Sequence, residues 1–195
     1  MTRFLRSLGR DRRGATIIEF AIVAPVMMIV LMGLGDMLHQ VYAQSILDGA
    51  LQKAGRDSAI QGGAENTAAI DAKVKSMVGS IVKNGTWSST RKSYADFSSI
   101  KPEDFTDGNG NGRRDPGECF TDINGNSTWD ADPGRTGQGG ANDVALYTMT
   151  ISFPRVFPVA KLLGASNTQT IRSQTLLKNQ PFATQTVNTP ATICD

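Results

Sequence analysis

The sequence predicts an α+β chain in which a long N-terminal transmembrane helix continues into a small head with one further helix and an antiparallel sheet. Three observations lead to this fold class. A nearly continuous apolar run begins near residue 15, apolar residues then recur at a spacing of three or four, and two later segments alternate apolar and polar residues. With 195 residues, of which 39% are hydrophobic, the chain suits one modest domain and an anchor.

The apolar run is long enough to cross a bilayer as a helix. Phe20–Gly35 carries no charged residue, and with Ala15–Ile18 the run is interrupted only by Glu19. A bilayer core of about 30 Å needs roughly 20 helical residues. Residues 1–14 hold five Arg and one Asp, whereas the rest of the chain has a net charge of −2. The positive-inside rule therefore predicts a cytoplasmic N-terminus, and the short basic arm does not predict nucleic-acid binding.

Glu19 needs an explanation, because a carboxylate one turn inside hydrocarbon costs a few kcal/mol unless it is paired or neutralised. One explanation is a Glu side chain that reaches back to the membrane surface. The other is cleavage between Gly14 and Ala15, which gives Ala15 a free ammonium group. Glu19 would then be the fifth residue of the mature chain and could pair with the ammonium group of a neighbouring subunit.

The sequence RRGATIIEFAIVAP, residues 12–25, resembles a type IV prepilin processing site, with a basic leader, Gly at the cut, four apolar or small residues, Glu and the aromatic Phe20. The stretch from Arg12 to Ala59 resembles the TadE-like minor pilins, or pseudopilins, of the tight-adherence (Tad/Flp, type IVb) pilus system. The resemblance implies a pilin-like helix, processing by a prepilin peptidase between Gly14 and Ala15, and a role in pilus biogenesis.

The resemblance also implies partners and a location. The expected partners are other Tad/Flp pilins and the inner-membrane assembly platform. The expected location is the bacterial inner membrane, which the chain crosses once with its head in the periplasm, before it is incorporated into an extracellular pilus or serves assembly only.

The helix should continue beyond the membrane and end at Gly62-Gly63. One apolar stripe comprises Leu34, Met37, Leu38, Val41 and Tyr42, and a second stripe, on roughly the opposite face, comprises Ile46, Leu47, Ala50, Leu51 and Ala54. A helix broken near Gln44-Ser45 is the alternative. The predicted regions are a leader at 1–14, the helix at 15–62 and the head at 63–195.

The head should contain a second helix and two strands. The helix is predicted over Thr67–Lys83, with Asn66 or Thr67 as its cap and Asn84-Gly85 as its end. The segments VALYTMTISF (144–153) and TQTIRSQTLLK (168–178) have the period-two pattern of half-buried, paired strands. Between them PRVFPVAKLLGAS (154–166) is an apolar connection that is expected to form a short helix on the sheet.

A calcium-type double loop is predicted at 105–133. Its first copy, Asp107-x-Asn109-x-Asn111-Gly112-x5-Glu118, matches the twelve-residue calcium pattern, including Gly at the sixth position and an acid at the twelfth. Calcium takes six to eight hard oxygens, which alternate side chains of a tight loop supply. The predicted ligands of this copy are Asp107, Asn109, Asn111, Arg113 (through its backbone carbonyl), Asp115 and Glu118.

A second copy follows fifteen residues later, and it predicts Asp122, Asn124, Asn126 and Asp130 as ligands. Pro133 stands where its terminal acid should be, so Asp132 is the expected substitute, and this copy either binds more weakly or shares an ion with the first. Asn in place of Asp points to binding on the order of 10⁻⁴–10⁻³ M. The alternative is a Gly/Asn/Asp-rich surface turn without metal.

Cys119 and Cys194 are the two cysteines, and we expect them to form a disulfide that spans 75 residues. The oxidising space outside the cytoplasm permits the bond, and the chain-entropy estimate for a loop of this length is about 4 kcal/mol. Two unpaired thiols are the alternative.

The sequence favours a structural protein over an enzyme. His39 is the single histidine, and the motifs HExxH, GxSxG and Walker A do not occur, so no catalytic residue and no small-molecule substrate are predicted. The preferred function is that of a cleaved minor pilin. The alternative is an uncleaved single-span anchor whose calcium-stabilised periplasmic head binds a partner.

Overall fold

The computed structural model of the chain describes residues 15–59, 66–157, 159–162, 164–180 and 189–194. Within these ranges the helices are α1 (Ala15–Ala59), α2 (Thr67–Val78) and α3 (Val159–Leu162). The strands are β1 (Thr86–Tyr94), β2 (Phe120–Asp122), β3 (Arg135–Thr136), β4 (Val144–Pro154), β5 (Thr168–Lys178) and β6 (Ala191–Ile193). The predicted α+β class is confirmed, with one long apolar helix, a further helix and an antiparallel sheet.

The chain divides into two compact units. Among the described residues, the stalk unit contains α1 up to Tyr42 together with Pro154–Gln169, and the head unit contains α1 from Ala43 onward with most of the remaining chain. One helix therefore contributes to both units. Its first part is largely exposed, and its last part supplies the buried stripe of the head.

Helix α1 is continuous over 45 residues, with Pro25 inside it and no break at Gln44-Ser45. Its predicted end at Gly62-Gly63 lies outside the described residues. The second predicted stripe is buried in the head: Leu47 and Leu51 are fully buried, and Ala50 and Ala54 are nearly so. Small and branched side chains thus alternate along this face, which lets neighbouring elements approach the helix closely.

The core of the head unit joins this stripe to α2 and to the central strands. Its buried members are Ala43, Leu47, Ala50, Leu51, Ala54, Ile70, Val74, Val78, Val82, Tyr147, Met149, Ile151, Phe153 and Ile171. The alternating positions 145, 147, 149, 151 and 153 of β4, which form one face of the predicted period-two pattern, are all buried. Burial of large apolar side chains contributes about 1.5–3 kcal/mol each, so this cluster is the main source of stability in the head.

The main sheet has the order β3-β1-β4-β5, and a second sheet pairs β2 with β6. Strand β1 runs antiparallel to β4, with Trp87 opposite Ile151 and Arg91 opposite Tyr147. Strand β1 was not predicted, because its inward positions include Ser89 and Arg91 rather than apolar residues. Aromatic and β-branched residues in TWSSTRKSY were the signal that could have identified it.

Helix α2 is shorter than predicted. It ends at Val78, where the Gly79 N–H donates to the Lys75 carbonyl, and the prediction that it extends to Lys83 is wrong. Gly79 and Ser80 have low helix propensity. The Ser80 hydroxyl also donates to the Met77 carbonyl, and such a side-chain bond competes with the backbone hydrogen bonds of a helix. The side chain of Asn66 makes no capping hydrogen bond.

The stalk unit joins the β4–β5 connection to α1. Arg155 Nη1 donates to Asp36 Oδ2 at 2.5 Å, and the Val156 N–H donates to Asp36 Oδ1 at 3.2 Å. A Cβ on Gly35 would lie 3.1 Å from the ring of Phe157, so glycine permits this close approach. The predicted short helix is present as the four-residue α3. The contacts of Asp36 and Gly35 place the start of the β4–β5 connection against α1.

Candidate functional site

The first candidate site is the N-terminal processing motif. Gly14 lies outside the described residues, and α1 begins at Ala15. Glu19 is exposed, and its neighbours Ile18 and Phe20 are 63% and 70% exposed. None of the ion pairs found among the described residues involves Glu19. The structure therefore places a carboxylate on an apolar, outward-facing turn at the start of the helix.

The helix that carries Glu19 is long and apolar enough to cross a membrane, and its most apolar 18-residue stretch is not buried in the protein. Exposed aliphatic side chains cover it on all sides between Ile17 and Leu34. Twenty helical residues span about 30 Å, which is the thickness of a bilayer core. Asp36, the first acid after this stretch, is buried and paired with Arg155.

The first predicted calcium loop is closed by hydrogen bonds among its own groups. Asp107 accepts from the backbone N–H groups of Gly110 and Gly112 at 2.7 and 2.8 Å. These donors, led by the Gly112 N–H, hold the pKa of Asp107 below its ordinary value of 3.8. Glu118 accepts from the N–H groups of Gly108 and Asp115 at 2.8 and 3.0 Å, so it ties the second and ninth positions of the loop together.

The amide side chains of this loop also point at an acid. Asn109 and Asn111 each donate through Nδ2 to Asp115 Oδ2 at 2.7 Å. Gly112 has a φ of 74°, in the left-handed region that glycine tolerates best. The Oδ1 atom of Asn111 accepts from the Arg113 N–H at 2.7 Å. The predicted ligands of the first copy are thus brought together in one compact turn.

The second loop repeats this geometry. Asp122 accepts from the Gly125 and Ser127 N–H groups at 2.6 and 2.7 Å, and the Nδ2 atoms of Asn124 and Asn126 both donate to Asp130 Oδ2 at 2.7 Å. Ser127, which replaces the glycine of the first loop, has a φ of 60°. The predicted members of the second copy, with the exception of Asp132, therefore correspond to those of the first.

Glu103, which was not predicted as a site residue, closes the second loop. Its two carboxylate oxygens accept from the N–H groups of Ile123 and Asp130 at 2.8 and 2.9 Å, which are the same two loop positions that Glu118 binds in the first copy. Asp132 lies elsewhere and accepts from Lys92 and Tyr94.

The sequence did hold a signal for Glu103. It stands fifteen residues before Glu118, so the repeat begins two residues earlier than Phe105 and reads E-x-F-T-D in both copies. Glu103, at the start of the first repeat, closes the loop of the second repeat, and Glu118, at the start of the second repeat, closes the loop of the first. Backbone bonds from Thr106 to the Cys119 carbonyl and from Thr121 to the Asp104 carbonyl, each 2.8 Å, join the copies with matching geometry.

The groups around the second loop are buried more deeply than those of the first. Glu103 and Asp122 are 1% and 3% exposed, and Trp129 donates through Nε1 to the Glu103 carbonyl at 2.9 Å. The Trp129 ring meets Phe105 edge-on, with centroids 6.1 Å apart. Trp129 thus covers the base of the double loop.

A disulfide joins Cys119 to Cys194 in the structure, and it links the end of the first loop to the C-terminal region. The adjacent residue Phe120 pairs with Ile193 in the small sheet of β2 and β6. Three paired residues would not hold a chain end alone. The covalent bond therefore keeps β6 beside β2.

The donor set of the loops suits calcium, because it consists of carboxylate, amide and backbone oxygens. Among the described residues, however, no group of three or more His, Cys, Asp or Glu side chains is gathered closely enough to hold a metal ion. Hydrogen bonds close both loops instead. Calcium binding at these loops thus stays a prediction.

Residues 14–56 match the family model described as TadE-like protein, which confirms the resemblance that the sequence motif predicted. The matched segment contains the site of predicted cleavage, Glu19 and the apolar stretch of α1. No curated protein and no solved structure matches the chain significantly. The family match and the single long apolar helix among the described residues indicate a pilus-related protein with single-pass membrane anchoring.

Proposed function

We propose that the chain is a minor pilin or pseudopilin that a prepilin peptidase cleaves between Gly14 and Ala15 before it takes part in building a Tad/Flp pilus. The observation that carries this proposal is the TadE-like match over residues 14–56. That match associates the chain with Tad pilus components and the membrane. Its partners in this role are the peptidase, the other pilins and the inner-membrane assembly platform.

Glu19 acquires a partner through cleavage. In an α-helix, four residues advance the chain by about 6 Å, so the new ammonium group of Ala15 and the Glu19 carboxylate lie one turn apart. Two neighbouring copies offset along the helix axis by about one turn would bring the carboxylate of one level with the ammonium of the other. Within hydrocarbon such pairing removes most of the few kcal/mol that an isolated charge costs.

The proposed topology puts residues 1–14 in the cytoplasm and the head in the periplasm. The excess of arginine before the apolar stretch supports this orientation. The Cys119–Cys194 disulfide supports it independently, because such bonds persist in oxidising compartments. The fold supplies scaffold and surface, and we propose no catalytic activity for it.

Substitution at Glu19 tests the proposed role. We expect Glu19→Gln to be cleaved and inserted normally but to be lost from sheared pili, because it cannot pair with the ammonium group of a neighbour. Immunoblots of whole cells, membranes and pilus fractions measure this distribution. Asp104→Asn is the control, since Asp104 is an exposed head residue paired with Lys101. Normal recovery of the Glu19 variant in pili would contradict the pairing.

We also propose that the double loop binds calcium, which would serve the cleaved pilin and the alternative, an uncleaved single-span anchor, equally well. The closure of the loops by Glu103 and Glu118 favours this, because each loop has an acid bound to the N–H groups of its second and ninth positions, which in the first copy is the twelfth-position acid of the calcium pattern. The ion would be held by Asp107, Asn109, Asn111, Arg113 carbonyl oxygen, Asp115 and Glu118 in one loop, and by Asp122, Asn124, Asn126, Asp130 and Glu103 in the other. Bound calcium would supply positive charge that neutralises these acids.

Calorimetry on the detergent-solubilised full chain tests the calcium proposal. We expect binding at two sites, with affinities on the order of 10⁻⁴–10⁻³ M. Glu103→Gln and Glu118→Gln should each remove one site, whereas Asp104→Asn should retain both. The thermal unfolding of each variant without calcium controls for misfolding. Absence of heat at millimolar calcium would refute the proposal, and two sites in Glu103→Gln would refute the role of Glu103.

A further inference from the structure

We propose that the β4–β5 connection of the stalk unit is a second membrane contact, which rests in the headgroup layer of the bilayer beside the point where α1 leaves it. This inference depends on the membrane span that underlies the proposed function. It concerns the described residues 154–157 and 159–161, to which the proposed function assigned no role.

The depth of the connection follows from its contacts with Asp36. Asp36 directly follows the uncharged stretch of α1, so it marks the level at which the helix leaves the hydrocarbon core. Arg155 and the backbone of Val156 both bind the Asp36 carboxylate. Phe157 packs against Gly35, one residue closer to the core. The start of the connection is thereby held at the bilayer surface.

The side chains at this level suit a lipid interface. Val156 is 51% exposed although it is apolar, and Lys161 is exposed on α3. Residues 154–169 contain Arg155 and Lys161 and no acid. Asp36 and Arg155 neutralise each other, so Lys161 is the charge that this segment has left for anionic headgroups.

The adjoining turns of α1 extend the same surface. Met37, Leu38, Val41 and Tyr42 are between 56% and 65% exposed. They extend from about 1.5 to about 9 Å past Asp36, so they cross the headgroup layer, which adds roughly 5–7 Å on each side of the core, and Tyr42 lies at its outer edge. Tyrosine favours this layer, because its ring is apolar and its hydroxyl can reach water. The apolar face of the stalk is therefore continuous from the hydrocarbon core into the headgroup layer.

Fluorescent probes in reconstituted vesicles test the inference. The full chain carrying Val156→Cys is labelled with an environment-sensitive dye under non-reducing conditions, which leave the Cys119–Cys194 disulfide intact, and is inserted into phosphatidylethanolamine–phosphatidylglycerol vesicles. Val30→Cys, in the apolar stretch, and Phe97→Cys, at an exposed head position, are the matched controls; Val30 and Phe97 are 62% and 57% exposed. Circular dichroism confirms that each variant is folded.

We expect a blue-shifted probe at 156 that is quenched several-fold more by headgroup-labelled spin lipid than the probe at 97. The probe at 30 should be quenched most by a spin label deep in the acyl chain. If spin-labelled lipid quenches the probe at 30 while the probe at 156 behaves like the probe at 97, the second contact is refuted and the membrane span is retained. If 30 also behaves like 97, the span itself fails. Shielding of 156 from both lipid and aqueous quenchers would refute a lipid contact in favour of a protein neighbour.

Discussion

Asp71 is the acidic side chain on which three elements of the head converge. It accepts hydrogen bonds from Ser89 at 2.6 Å, from Arg91 at 2.6 Å and from the Tyr147 hydroxyl at 2.5 Å. The Arg91 guanidinium also lies over the Tyr147 ring, 4.1 Å from its centroid. One carboxylate on α2 thus ties that helix to β1 and β4, at the polar edge of the core.

The Asp71 contact predicts a loss of stability on mutation. Asp71→Asn leaves Arg91 without its charged partner, and because the Asp71 and Arg91 side chains are only 17% and 9% exposed, we expect a loss of about 2–3 kcal/mol. Asp57→Asn is the matched control, since its partner Lys73 is 61% exposed, and little change is expected. Urea unfolding of the solubilised full chain measures both, and equal stability of the two variants would contradict this role.

The same residue predicts part of the acid sensitivity. Burial alone raises the pKa of Asp71, but hydrogen bonds from Arg91, Ser89 and Tyr147 outweigh it and hold the pKa below 3.8. The folded state therefore keeps this carboxyl charged where the unfolded chain would bind a proton. Its stabilisation is present above about pH 4 and is lost as the pH falls through the folded pKa. The Asp71→Asn variant should accordingly lose less stability than the wild type on acidification below pH 4.

Residue-level features of this kind were the hardest to predict. Asp71 and Tyr147 are far apart in the sequence, and no local pattern connects them. Glu103 was missed for another reason, because the calcium pattern looks for its acid after the loop, whereas the structure supplies it from the preceding repeat. Asp132 was chosen by proximity in sequence, but its bonds to Lys92 and Tyr94 hold it at β1.

At the scale of elements, the helices and strands that bury one regular apolar face were predicted from the sequence. Helix α1 and strands β4 and β5 were identified because their apolar residues recur with the period of the element. Strand β1 has a polar inner face, and β6 is a short strand whose place depends on a disulfide and a partner strand. Neither leaves a periodic signal in the sequence. Helix α2 ends early at Gly79, which was not recognised as an end signal because apolar residues with helical spacing lie on both sides of it.

Two leucines of α1 test the different environments along one helix. Leu47 is fully buried, and Leu47→Ala should lower the unfolding free energy of the head by about 2–5 kcal/mol through lost burial and a cavity. Leu38 is 61% exposed, so Leu38→Ala should leave the head stability nearly unchanged. Circular dichroism during urea unfolding compares them in detergent. Equal losses would contradict the assignment of the second stripe to the head core.

At the scale of the whole molecule, the two parts of helix α1 suit two different surroundings. Its first part is exposed and apolar, as a bilayer requires, and its last part is buried among the side chains of the head. The sequence predicted this change of face from the shift between two stripes. It could not predict that residues 154–169 group with the first part of the helix, because that depends on the Asp36–Arg155 pair across a wide separation in sequence.

We propose that proteolysis gives Glu19 a positive partner within the membrane, and the N-terminus of the mature chain tests this most directly. Mass spectrometry of protein extracted from membranes of piliated cells should find a chain that begins at Ala15, with residues 1–14 removed. A chain that begins at Met1 or Thr2 while fibres form would contradict the account.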